Sequence, residues 1–146
     1  MLDDTNVIKQ RDVSGALNVA ATLYKQVSYD CQLVNATHDG RDIAGVIVAG
    51  MGGSALAADV AKVLLARDLM VPFEVVKGYE LPAYVGKNTL VIASSHSGNT
   101  EETVACMNEA LKRGCQMAAI ATGGQVKEIA QAHEVMYAEM PHDTQP

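Results

Sequence analysis

The sequence predicts an α/β fold, a three-layer α/β/α sandwich built on a five-stranded parallel sheet. Three observations point to it. Five apolar runs of strand length recur along the chain, and the segments between most of them carry apolar residues at helical spacing. Strands joined through helices imply right-handed crossovers and a parallel sheet covered on both faces. About half of the 146 residues are apolar, many of them Ala and Val, with no Trp and a single Phe, as suits helices packed closely on a sheet. That length fits one domain able to bury a core.

From Asp12 to about Asn35, the positions Val13, Leu17, Ala20, Tyr24, Val27, Cys31 and Val34 alternate spacings of four and three. They predict one helix with a narrow apolar seam, laid across the domain and open to a partner. Asp39-Gly40 is a turn that ends it. We therefore expect an N-terminal helical segment over residues 1–40, the α/β domain over 41–140 and a polar tail over 141–146. Ile43 to Ala49 is the first strand and runs straight into Gly50-Met51-Gly52-Gly53-Ser54-Ala55. The next helix should present Leu56, Val60, Val63 and Leu64 on one face, with Asp59, Lys62 and Arg67 outward. Pro72 to Lys77 reads as the second strand, and Gly78-Tyr79-Glu80-Leu81-Pro82 leaves little room for a helix after it.

Thr89 to Ala93, short and β-branched, is a third buried strand, and it breaks into Ser95-His96-Ser97-Gly98-Asn99-Thr100. Val104, Met107 and Leu111 then recur at helical spacing. Asn99 and Glu102 have the spacing of a capping box, placing the helix start near Thr100. Gly114 ends that helix. Gln116 to Ala121 is the fourth strand, Gly123-Gly124 opens a short helix carrying Val126, Ile129 and Ala130, and Glu134 to Glu139 is the last strand.

The two turns at residues 50–55 and 95–100 hold the chemistry. Unpaired N–H groups at a helix start, the positive end of its dipole and the hydroxyls of Ser54, Ser95, Ser97 and Thr100 suit an anion such as phosphate. Ser, Gly, Asn and Thr are also ordinary turn residues, but three hydroxyls in six residues exceed what capping requires. In a parallel sheet both turns fall at the carboxyl edge of the strands, where ligands bind. His96 suits the wall of a pocket, with proton transfer and, ahead of both, a plain turn residue as the other readings. It does not suit a triad, because residues adjacent in sequence rarely face each other.

Other partners fit less well. The formal net charge of -6, with no Lys/Arg cluster, disfavours nucleic acid. Cys31, Cys106 and Cys115 include no Cys-x-x-Cys pair, and His38, His96, His133 and His142 lack ligand spacing, so neither disulfide nor metal is expected. No apolar run is long enough to span a membrane, and no basic-then-apolar leader opens the chain. These features predict a soluble cytoplasmic protein with reduced thiols. Gly50-x-Gly52-x-x-Ala55 matches a dinucleotide fingerprint, but Lys77 and Gly78 stand where the acidic residue is needed, and Glu74 lies inside the strand. A P-loop would need Lys before Ser54, and a nucleophile elbow would need glycines on both sides of its Ser.

Gly50-Met51-Gly52-Gly53-Ser54-Ala55, Tyr79-x-Leu81-Pro82 and Ser95-x-Ser97-Gly98-Asn99-Thr100-Glu101-Glu102-Thr103 together resemble the amino-terminal half of the bifunctional phosphoglucose/phosphomannose isomerases. That family belongs to the sugar isomerase, or SIS, domain superfamily. The resemblance implies a Rossmann-like SIS fold in which Gly52, Gly53 and Ser54, with Ser95, Ser97 and Thr100, hold the phosphate of glucose 6-phosphate, fructose 6-phosphate or mannose 6-phosphate. It implies aldose–ketose isomerisation through an enediol, without a cofactor. The family's catalytic carboxylate, His and Lys lie in a second SIS domain, so no catalytic residue is assigned here and the chain alone is expected to be inactive. A second SIS domain or a second copy, as a homodimer, is the implied partner. His96 stands where the family more often has Tyr. A sugar-phosphate sensor is the alternative, and a dinucleotide-binding domain ranks below it.

Overall fold

The structure, a computed structural model, describes residues 4–141. The tail at 142–146, including His142, lies outside the described residues. Two compact units are present, one holding residues 4–30 and the other 31–141.

The first unit contains α1 (Thr5–Arg11), α2 (Ala16–Thr22) and a 3-10 turn at Leu23–Ser28. The helix expected from Asp12 to about Asn35 is α-helical only over Ala16–Thr22, tightens into the 3-10 turn at Leu23–Ser28, and is replaced by a strand at Leu33–Val34. The Asp12 carboxylate accepts the N–H groups of Ala16 and Leu17 at 2.7 and 2.9 Å, starting a new helix behind Gly15. Val13, Leu17 and Tyr24 of the predicted seam are exposed. Cys31 and Val34 belong to the second unit.

The second unit is a mostly parallel sheet with helices. Its elements are β1 (Leu33–Val34), β2 (Gly45–Ala49), α3 (Gly52–Leu64), β3 (Phe73–Val76), β4 (Thr89–Ser95), α4 (Glu101–Lys112), β5 (Gln116–Ala121), α5 (Gly124–Ala132) and β6 (Met136–Glu139). The strand order is β1-β6-β5-β4-β2-β3. All five predicted strands are present and pair in parallel, while β1 adds a sixth, two residues long and antiparallel to β6. A two-residue strand is too short for an alternating pattern to reveal. β2 to β3 and β4 to β5 step in opposite directions, so right-handed crossovers put α3 on one face and α4 on the other. The order reverses between β2 and β4, and this is the switch point of the sheet.

Along β4, Thr89, Val91, Ala93 and Ser95 are buried while Leu90, Ile92 and Ser94 are half-buried. The register carries this alternation to Met117, Ala119 and Ala121 of β5. Cys106, Met107 and Ala110 of α4, with Val126 and Ala130 of α5, close the core over this face. Gly114 and Cys115 donate back to Leu111 and Ala110 at 3.0 and 3.1 Å, which ends α4 where the sequence places its stop.

α3 does not bury the expected face. Ala55 and Ala58 are its buried residues, whereas Leu56, Val60, Val63 and Leu64 are 63%, 52%, 76% and 72% exposed. The two small side chains let the helix lie close to the sheet, and a larger residue on that face would push it away. Periodicity shows that a stripe exists but not which way it faces.

The connection from β3 to β4 contains no helix, as expected from its length, and it is fastened to α4. Glu109 accepts the Leu81 N–H at 2.8 Å, and Arg113 donates to the carbonyls of Leu81, Pro82 and Val85 at 3.3, 2.7 and 3.1 Å. The Arg113 guanidinium also pairs with Glu109. Leu81 and Val85 are thereby held in the core.

Candidate functional site

β2 and β4 end side by side at the switch point, so their following turns meet. Gly50 has no side chain because none would fit: a Cβ there would stand 2.9 Å from the carbonyl oxygen of Ser94. α3 then starts at Gly52, and its N-cap, Met51, offers no side-chain hydrogen bond. Gly52 and Gly53 are exposed and Ser54 is half-buried. The His96 N–H donates to Ser54 Oγ at 3.2 Å, tying the first turn to the second.

In the second turn, Ser95 is only 1% exposed. Its hydroxyl lies 2.8 Å from Thr100 Oγ1 and accepts the Gly98 N–H at 3.1 Å. Ser97 is exposed, and its Oγ accepts the Asn99 N–H at 3.2 Å. These bonds use the acceptor side of Ser54 and Ser97, and each hydroxyl keeps its proton to donate. Ser95 and Thr100 share one hydrogen bond, so one of these two hydroxyls also keeps its proton.

Thr100 is the N-cap of α4, and the expected capping box is not formed. Asn99 instead spans two loops, its Oδ1 accepting the Gln125 N–H at 3.1 Å and its Nδ2 donating to Ser97 O at 3.3 Å. A third turn, Gly123-Gly124, thus backs the second. Val126 N–H donates to Gly98 O at 2.9 Å, and Thr122 donates to the His96 carbonyl from N and Oγ1 at 3.0 and 2.7 Å. Sequence reasoning missed this support, although a second glycine pair after a neighbouring strand was the available signal. The start of α5 therefore serves the loop, while the starts of α3 and α4 are uncapped by side chains. Among the described residues, the N–H groups of Glu101, Glu102 and Thr103 have no backbone or side-chain acceptor.

The rim carries charge. Tyr79 donates to Glu101 Oε2 at 3.2 Å, and the Glu102 charge followed by that bond holds its phenol above the ordinary value, so it stays protonated. Lys77, at the end of β3, pairs with Asp59 of α3 at 2.6 Å. Glu74 is bonded to the Tyr84 hydroxyl inside β3, so the β3 end offers a paired lysine where a dinucleotide site needs an acid. A cavity of about 410 Å³ lined by Gly45, Glu74, Tyr84 and Thr89 opens at the other end of the sheet, away from both turns.

The SIS domain family profile matches residues 42–145, which include both turns. The chain belongs to the SIS domain family. A bifunctional phosphoglucose/phosphomannose isomerase of Caldicellulosiruptor bescii is 42% identical over 105 residues, covering 72% of this chain and 31% of that protein. A D-glucosamine-6-phosphate 4-epimerase of Sulfolobus acidocaldarius is 36% identical over 112 residues, covering 72% and 35%. This SIS domain thus spans about a third of the length of these relatives. A solved structure from Bacillus subtilis, of proposed phosphosugar isomerase activity, superposes with a TM-score of 0.60 at 27% identity, covering 70% of this chain and 32% of that one. Among the described residues, no helix of this SIS domain is long and apolar enough to cross a membrane.

Proposed function

We propose that this SIS domain binds the phosphate of a hexose phosphate between Gly52, Gly53 and Ser54 on one side and Ser97 and Thr100 on the other, with the buried Ser95 hydroxyl bonded to Thr100 behind them. The observation that carries the reading is the meeting, at the switch point, of two helix starts without side-chain caps, joined by the bond from His96 N–H to Ser54 Oγ. Backbone amides and hydroxyls act at contact distance, so they serve a dianion despite the net charge of -6. The names of the relatives, an isomerase and an epimerase of hexose phosphates, agree with that ligand.

In this reading the chain is the phosphate-holding part of a phosphoglucose/phosphomannose aldose–ketose isomerase. The base that moves a proton between adjacent carbons comes from a second SIS domain, and the chain alone does not turn over substrate. His96 lines the pocket. Pairing with that second domain or copy belongs to the same proposal, supported by the exposed apolar stripe of α3. A cytoplasmic setting suits three free thiols.

Thermal shift with glucose 6-phosphate, fructose 6-phosphate, mannose 6-phosphate and NAD tests the binding. A ligand at about 100 times its Kd adds about 2.7 kcal/mol of stability. The hexose phosphates should stabilise the chain and Ser97→Ala should weaken the effect. Stabilisation by NAD alone, or by none of the four, overturns the proposal.

A further inference from the structure

Tyr79 is 55% exposed, yet its place is fixed. The carbonyl of Gly78 before it accepts from Cys106 Sγ at 3.2 Å, the Leu81 N–H beyond it is held by Glu109, and its own hydroxyl donates to Glu101 at 3.2 Å. The backbone before and after Tyr79 is held by α4, and its exposed ring, tied to that helix by the hydroxyl alone, contributes little to the core, so packing does not explain its place. Glu101 follows Thr100 directly and opens α4 at the edge of the anion seat. Its carboxylate is poorly matched to a bare phosphate, because like charges repel at that distance. Vicinal hydroxyls of a sugar match it well, since a carboxylate accepts two hydrogen bonds side by side. The ring of Tyr79 offers an apolar face to sugar C–H groups beside it.

Resting on the phosphosugar reading above, we propose that Tyr79 and Glu101 form the specificity element of the site, recognising the polyhydroxyl part of the ligand and disfavouring inorganic phosphate. Glu101 accepts from sugar hydroxyls, and Tyr79 orients Glu101 while covering one side of the carbon chain.

The test is an amide-resolved NMR titration of the full chain with inorganic phosphate and with glucose 6-phosphate at matched ionic strength. Wild type should prefer glucose 6-phosphate. In Glu101→Gln, inorganic phosphate should bind as well or better, while the preference for the sugar phosphate falls about tenfold, the size of one charge-assisted hydrogen bond. Tyr79→Phe should lose part of the preference and Tyr79→Ala more. Glu128→Gln, which removes an exposed charge on α5, should leave the preference as in wild type. Equal changes in both affinities for Glu101→Gln, or no change in either, overturn the proposal. If wild type binds neither probe, the phosphosugar reading itself fails and this assignment falls with it.

Discussion

Gly98→Ala probes the join between the second and third turns. Gly98 has a φ of +71°, and a Cβ there would stand 1.8 Å from the carbonyl oxygen of Gly123 and 2.7 Å from its carbon. Two costs arise. An L-residue in the left-handed region costs about 1–2 kcal/mol, and an extra carbon forced against packed neighbours costs about 1–3 kcal/mol. Alanine restricts the unfolded chain and returns about 0.4–1 kcal/mol. The net expectation is a loss of about 1–5 kcal/mol, set against a typical domain's stability of about 5–15 kcal/mol. Gly40→Ala separates the two costs, because Gly40 has a φ of +82° and nothing within 4 Å of its Cβ position. That variant should lose only about 1 kcal/mol. Urea unfolding measures both, and the difference between them reports the contact with Gly123. If the two variants agree within about 0.5 kcal/mol, the third turn does not brace the second as argued.

Two further outcomes follow from the same structure. The Leu81 N–H, and after it Arg113, hold the Glu109 carboxyl below its ordinary 4.5, so its contribution is present above that pH and is lost as the pH falls through the folded value. Glu109→Gln should therefore be less stable than wild type at neutral pH, with the gap closing on acidification below about 4.5, and a gap independent of pH would contradict this. Burial pushes the Cys106 thiol up to about 11, whereas Cys31 is exposed. With iodoacetamide at pH 8, mass spectrometry should find Cys31 modified in the native chain and Cys106 only after unfolding; labelling of Cys106 as fast as Cys31 would be the contrary result.

The sheet and the site turns were legible in the sequence because they obey short-range rules. The run from Gln116 to Ala121 is β5 to the residue, and the expected start of a helix near Thr100 matches α4 at Glu101. That Ser54 would lie against the second turn followed from strands sharing a carboxyl edge. What failed depended on information that periodicity does not hold. A seam of alternating fours and threes runs unbroken to Val34, yet the α-helix stops at Thr22 and Leu33–Val34 pairs as a strand with Ala138 and Tyr137, partners far away in sequence. The stripe at Leu56, Val60, Val63 and Leu64 has helical spacing and faces outward, because Ala55 and Ala58 alone fit against the sheet. Asn99 has capping-box spacing, but the competing amide of Gln125 comes from a loop 26 residues away in sequence.

The bonds from Gln125 and Val126 to the Asn99 side chain and the Gly98 carbonyl mean that the cradle is cast during folding. In the proposed reading an arriving ester need not organise it, so little of its binding energy is lost to freezing the loop. The same joinery makes the cradle hostage to its neighbour: loosening β5 or α5 would blunt recognition on the far side of Gly98 before the rest of the sheet comes apart.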